Sequence, residues 1–181
     1  MISLETDRLV LRNFRPDDRQ DLQDMSIHYG ASEYAQYDHA WPTATEDIKG
    51  MAEWFATGDQ FHAVCLKETG KLIGLISLDH SKEDKSAFGL GYVFHPSFHG
   101  QGYGGEGCRA VLDHAFRKLG AQQVTSNTAE ANLPSCAMLR SLGFSETGRS
   151  TASFRETPEG DPIAFTALAF TLTKEEWKKN E

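Results

Sequence analysis

The residues best suited to chemistry in this 181-residue chain cluster in two stretches. One is His99-Gly100-Gln101-Gly102-Tyr103-Gly104-Gly105-Glu106-Gly107, where five glycines fall within the eight positions from Gly100. Residues without a Cβ let a ligand approach main-chain N–H groups closely. A helix starting behind such a loop adds unpaired donors and a positive dipole end, which together favour phosphate. The other stretch, Glu130 to Ser135, brings a carboxylate, the Asn132 amide and the Ser135 hydroxyl to the start of a second helical run. Glu156 adds a later carboxylate, and carboxylates and histidines are the usual carriers of protons. Each group also has a plainer use. A glycine loop makes a tight connection, Glu130 and Glu156 dress a solvated surface, and a serine such as Ser135 bonds to a helix start. Tyr34, Tyr37 and Trp41 lie in an aromatic, loop-like segment that either lines a substrate site or packs on the core. His80, His95 and His99 are able to relay protons, but Pro96 breaks any helical pairing of His95 with His99, and no metal is expected.

These groups need elements to hold them. Tyr92-Val93-Phe94 reads as a strand that Pro96 stops. Behind the glycines, Cys108, Val111, Leu112, Ala115, Phe116 and Leu119 recur at helical spacing, and Gly120 stands where a left-handed cap ends a helix. Asn132 or Leu133 suits a cap, Pro134 a first turn and Gly143 a stop. Upstream, Arg8 to Arg12 alternates like a strand, and Pro16-Asp17-Asp18 opens a helix that Gly30 ends. Thr45-Glu46-Asp47 opens another. Phe61 to Lys67 and Leu72 to Leu78 form a hairpin around Glu68-Thr69-Gly70. Further strands are read at Gln122 to Thr128, Ser145 to Arg155 and Ile163 to Leu172, with a brief helix through Trp177. No repeat or linker breaks the order, so one mixed α/β domain over residues 1–181 is the economical reading.

Composition narrows the function classes. Twenty-six acidic against 18 Lys and Arg residues give a formal charge of −8, with no basic cluster to follow a nucleic-acid backbone. An acidic surface suits a cationic substrate such as an amine, and equally suits solubility. The first residues lack a basic segment followed by an apolar one, and no long apolar run occurs, so neither secretion nor membrane spanning is expected. Cys65, Cys108 and Cys136 are odd in number and set among apolar residues, which reads as buried free thiols in a reducing cytoplasm.

Three signals, in this order, resemble the GNAT superfamily of acyl-CoA-dependent N-acyltransferases, and its RimJ/RimL-type branch in particular. They are Glu5-Thr6-Asp7-Arg8-Leu9-Val10-Leu11-Arg12; Gly91-Tyr92-Val93 leading through Pro96 to His99-Gly100-Gln101-Gly102-Tyr103-Gly104 and Glu106; and Asn132-Leu133-Pro134-Ser135 through Leu142-Gly143-Phe144. The resemblance implies a mostly antiparallel twisted sheet of about seven strands flanked by helices, splayed between the strands near 88–94 and 122–128. It implies that residues 99–104, with Gly105 behind them, hold the diphosphate of acetyl-CoA, and that the backbone of Val93 and Phe94 pairs with the pantetheine arm. Asn132 would bond that arm or nearby backbone, Ser135 would protonate the departing thiolate, and Val93 or Phe94 would donate to the oxyanion. The acceptor is then an amine, small or a protein N-terminus. No nucleic acid or membrane is implied, and monomer and homodimer remain open. Where many relatives carry a glutamate base this chain has Gly89, which leaves Glu130 and Glu156 as the carboxylates for that role.

Two other classes compete. Gly102 to Gly107 also satisfies G-x-G-x-x-G, the fingerprint of NAD(P)-dependent oxidoreductases, although a strand hairpin precedes it and Glu130 comes late for a ribose contact. The absence of a side chain at Gly89 equally suits a module that binds acyl-CoA without catalysis.

Overall fold

The computed structural model describes residues 3–179. Its frame is one eight-stranded sheet: β1 (Ser3–Glu5), β2 (Leu9–Asn13), β3 (Phe61–Leu66), β4 (Leu72–His80), β5 (Ala87–Phe94), β6 (Gln123–Ala129), β7 (Ser145–Glu156) and β8 (Pro162–Thr173). The spatial order is β1-β2-β3-β4-β5-β6-β8-β7. Every neighbour is antiparallel except β5 and β6. This is the mostly antiparallel mixed sheet anticipated from the resemblance, with eight strands instead of about seven. The short β1, which pairs Leu4 with Leu11, lies ahead of the strand read at Arg8 to Arg12.

Five helices cover the two faces: α1 (Arg19–Gly30), α2 (Thr45–Phe55), α3 (Tyr103–Arg117), α4 (Leu133–Ser141) and α5 (Lys174–Lys179). Helices α1 and α2 bury Leu22, Met25, Ile48 and Phe55 against Ala63, Cys65 and Leu75 of the sheet. On the opposite face, Val111, Leu112 and Phe116 of α3, Leu139 of α4 and Trp177 of α5 close over Leu11, Ile76, Phe88 and Phe170. A polar-looking strand such as β6 is therefore buried at alternate positions, with Val124 and Ser126 inside and Asn127 exposed. Cys65, Cys108 and Cys136 are all buried free thiols. No helix among the described residues is long and apolar enough to cross a membrane.

The glycine run is divided differently from its reading as a loop. Helix α3 starts at Tyr103, five residues before Cys108, so Gly104, Gly105 and Gly107 lie inside it. Gly102 forms its N-cap with φ 81°, a left-handed conformation that costs glycine nothing. Gly107 has a packing reason instead. A Cβ there would stand 3.0 Å from Ile76 Cδ1 and 3.6 Å from Leu9 Cδ1, so its absence lets α3 lie close to the sheet.

Candidate active site

The sheet is incomplete at its centre. Strands β5 and β6 pair only through Ala87–Gln123, Phe88–Val124 and Gly89–Thr125, after which they part. The hydroxyls of Thr125 and Ser126 reach back to the carbonyls of Phe88 and Leu90, at 3.4 and 2.9 Å. On the same side His99 Nε2–H donates to Phe94 O at 2.9 Å. The main-chain groups of even-numbered β5 residues thus face the gap, because alternate residues of a strand present their polar groups to opposite edges. By this alternation Phe94 turns its N–H toward the gap, and so does Tyr92. Val93 faces β4, where it pairs with Leu75. Of the two residues expected to offer main-chain groups to a ligand, Phe94 is therefore the one whose N–H faces the gap.

Beyond β5, Pro96–Phe98 form a short 3₁₀ turn that leads into the glycine loop. The first bond at the start of α3 runs from Glu106 N–H to Gly102 O at 3.0 Å, so the N–H groups of residues 103–105 precede it and have no acceptor within the helix. Three contacts brace this end from the side. Arg8 Nε and Nη2 bind Glu106 Oε2 at 2.7 and 2.6 Å, Thr6 Oγ1 donates to Glu106 Oε1 at 2.5 Å, and Arg8 Nη1 donates to Gln101 O at 3.0 Å. Burial opposes ionisation of Glu106, but these bonds outweigh it and hold its carboxyl below the ordinary range. The arrangement fixes the loop without filling its mouth, and leaves bare donors as a phosphate requires.

Two cavities meet at the gap. The first, about 500 Å³, runs between the N-terminal ends of α3 and α4. Val93, Phe94, His99, Gly100, Gly102, Tyr103, Gly104, Gly105 and Asn132 line it, which brings together every residue expected to hold the cofactor except Gln101. Gln101 instead turns its side chain to Ser97 O at 3.1 Å. The second cavity, about 620 Å³, opens on the α1–α2 face and is lined by Tyr34, Tyr37 and Trp41 of the aromatic segment. Tyr29, Tyr34, Tyr92, Val93, Asn132 and Ser135 line both.

At that junction Asn132 caps α4, its Oδ1 accepting from Ser135 N–H at 3.2 Å. The cap frees the Ser135 hydroxyl from the helix start, and it shares a 2.7 Å hydrogen bond with Tyr92 Oη. Burial raises the Tyr92 phenol pKa, which keeps it protonated. In the sequence Tyr92 stands as strand-forming bulk and as part of the Gly91-Tyr92-Val93 signal of the resemblance, with no role given to its hydroxyl. Asp38 was also missed, since nothing in the spacing separates it from other loop carboxylates. It lines the second cavity and accepts from His39 N–H, Trp41 Nε1–H and Tyr29 Oη–H at 2.7, 3.2 and 3.3 Å.

The two proposed carboxylate bases fall elsewhere. Glu130 is exposed just past β6, paired with Arg149 Nη1 at 2.6 Å, and lines neither cavity. Glu156 is exposed at the far end of β7, opposite Pro162, and lines neither. Both are turned outward by strand geometry invisible in the spacing.

Asp24, His28 and His95 converge near the Pro96 turn. Ser97 N–H donates to His95 Nδ1 at 3.1 Å, so the proton of a neutral ring sits on Nε2, 3.3 Å from Asp24 Oδ2. Lys71 Nζ stands 3.4 Å from the same oxygen. A carboxylate ringed by N–H groups fits an ion network, and His95 offers no free Nε2 lone pair of the kind a metal takes.

The mostly antiparallel sheet differs from the doubly wound parallel sheet of dinucleotide oxidoreductases, and comparisons with known proteins agree. Residues 8–145 match the acetyltransferase (GNAT) domain family. The FsC-acetyl coenzyme A-N(2)-transacetylase of Aspergillus fumigatus is 31% identical over 87 residues, which are 48% of this chain and 36% of the fungal protein. The match therefore spans about a third of that relative's length. An uncharacterized N-acetyltransferase of Bacillus subtilis, YnaD, is 24% identical over 147 residues, 80% of this chain and 84% of that protein. Among solved structures, a GNAT-family acetyltransferase from Bacillus anthracis superposes with a TM-score of 0.81 at 20% identity, covering 96% of this chain and 99% of that one. A glycine-capped helix facing a parted sheet, and a family match over most of the chain, lead to one conclusion: the chain belongs to the GNAT family of acetyltransferases.

Proposed function

We propose that the protein transfers the acetyl group of acetyl-CoA to a primary amine by direct attack within a ternary complex. The observation that carries the reading is the parted pair β5–β6, which joins the glycine-capped cleft to the aromatic cavity. The diphosphate lies against residues 99–105. The pantetheine arm takes the place of the missing strand beside Tyr92 and Phe94. Acetyl-CoA supplies the activated thioester, and the chain supplies orientation and protons.

The acceptor enters through the second cavity, gives up its ammonium proton to solvent there and attacks the thioester carbon as the neutral amine. A C–N bond forms while the C–S bond breaks. The Phe94 N–H faces the gap and stabilises the developing oxyanion. Ser135 Oγ–H protonates the leaving thiolate; Tyr92 Oη–H passes its proton to Ser135 across their 2.7 Å bond as it takes up the proton shed by the attacking nitrogen, so both hydroxyls end as they began. The proton shed by nitrogen is not assigned to Glu130 or Glu156, because both sit outside the cavities. The resemblance to the RimJ/RimL branch motivates a protein N-terminal α-amine as one acceptor and a small amine as the other.

Acetyl-CoA should protect the protein from thermal unfolding while NAD does not, and an amine panel should release free CoA thiol. Protection by NAD alone would overturn the reading. Acetyl-CoA protection with no thiol release from any amine, peptide or small, would favour a binding module over an enzyme.

A further inference from the structure

From the charge and shape of the second cavity, and resting on the transferase reading above, we infer that the acceptor is a small amine with a single positive charge on an aromatic or apolar body. Asp38 is the only carboxylate among the described residues that line the cavity, and no lysine or arginine lines it. A free amino acid carries a carboxylate that would need a cationic partner there. A polyamine or an aminoglycoside carries several charges and would need several anions. One carboxylate matches one ammonium.

The walls select the body. Trp41, Trp54, Phe61, Phe154 and Phe165 line the cavity, with Trp54 58% and Phe154 44% exposed. Large rings left open around one carboxylate suit a cation–π contact and an apolar group together. A volume of about 620 Å³ fits a small molecule.

The wall that carries Asp38 is also braced from the hairpin. The loop carrying Asp38 is tied to the β7–β8 hairpin. Arg155 Nε donates to Asp38 O at 2.9 Å. His39 and Phe154 have ring centroids 4.5 Å apart, and Tyr37 and Phe165 5.3 Å apart. These contacts hold in place the wall that carries Asp38.

The test measures thiol release from acetyl-CoA by the purified protein with 2-phenylethylamine, n-propylamine, phenylalanine, spermidine and a hexapeptide bearing a free N-terminal alanine. Phenylethylamine differs from phenylalanine by the carboxylate and from propylamine by the ring. Its kcat/KM should exceed that of each other acceptor at least tenfold. Asp38→Asn should lower it at least tenfold while the thermal shift with acetyl-CoA persists. Phe154→Ala, an exposed position, should raise KM for phenylethylamine about fivefold or more and leave propylamine within twofold. Preference for spermidine, phenylalanine or the peptide, or equal rates with propylamine, would overturn the inference alone. Absence of an acetyl-CoA shift in the parent protein would overturn the transferase reading and the inference with it.

Discussion

Replacing Gly102 with alanine tests whether the left-handed cap of α3 is what presents donors to phosphate. Gly102 holds φ 81° at the N-cap of α3, and a Cβ there would meet Arg8 Nη2 at 3.4 Å, an ordinary contact. The cost is therefore conformational, roughly 1–2 kcal/mol for an L-residue held left-handed. For a domain of this size that lowers Tm by about 2–8 °C. If the loop relieves the strain by rotating, the N–H groups ahead of Glu106 swing away from the cleft. Losing one such bond to a charged phosphate costs roughly 1.5–3 kcal/mol, so acetyl-CoA should bind about ten- to a hundredfold more weakly. Gly50→Ala is the matched control, because Gly50 lies within α2, lines neither cavity, and a Cβ there meets nothing within 4 Å. Alanine should stabilise that helix by about 0.5–1 kcal/mol and raise Tm by roughly 1–4 °C. Calorimetric titration with acetyl-CoA, alongside thermal melts, reads both effects. Undiminished affinity in Gly102→Ala, or an equal loss in Gly50→Ala, would refute the placement of phosphate on the left-handed cap.

Other outcomes follow from the same geometry. Ser135→Ala and Tyr92→Phe should each cut turnover about tenfold or more in steady-state assays, with acetyl-CoA affinity nearly intact. The double variant should lose little beyond the worse single one, since the pair acts as a unit. Glu130→Gln and Glu156→Gln should leave kcat/KM within about twofold, because a solvated carboxylate outside the site gives little to catalysis. His62, buried in β3, is held down to about 4 by burial, from 6.5. The unfolded chain takes up a proton between those values and the folded one does not, so stability is lost as pH falls from 6.5 toward 4. The loss is about 3 kcal/mol, or roughly 6–12 °C in Tm. Melts of His62→Phe across this range should show a correspondingly shallower fall than those of the parent.

The helical and strand elements were largely legible because each carries its own punctuation. Asn132 and Gly143 bracket α4, and Gly143 takes φ 96°. The start of α3 is not legible in the spacing because glycine is a poor helix former; packing of Gly107 on Ile76 and Leu9, and of Gly104 on Met138 and Phe94, accounts for two of the three glycines inside it. Asn132 is legible as a cap, a local motif, whereas the roles given to Asn132 and Ser135 come from the resemblance. The direction in which Glu130 and Glu156 point depends on how the long β7–β8 hairpin and Arg149 are disposed, which no local pattern encodes. Asp38 was missed for the same reason in reverse, since its partners Tyr29, His39 and Trp41 make it part of a site only once the loop is folded.

The three-pair seam between β5 and β6 also bears on the sequence of binding events. Tyr92, Val93, Asn132 and Ser135 border both cavities, so whichever molecule arrives first becomes part of the surface met by the second. A thioester arm lying along the exposed edge of β5 finishes a partition that the amine then packs against. On the proposed transferase reading, an amine arriving earlier finds that partition unfinished, and acetyl-CoA is expected to bind first.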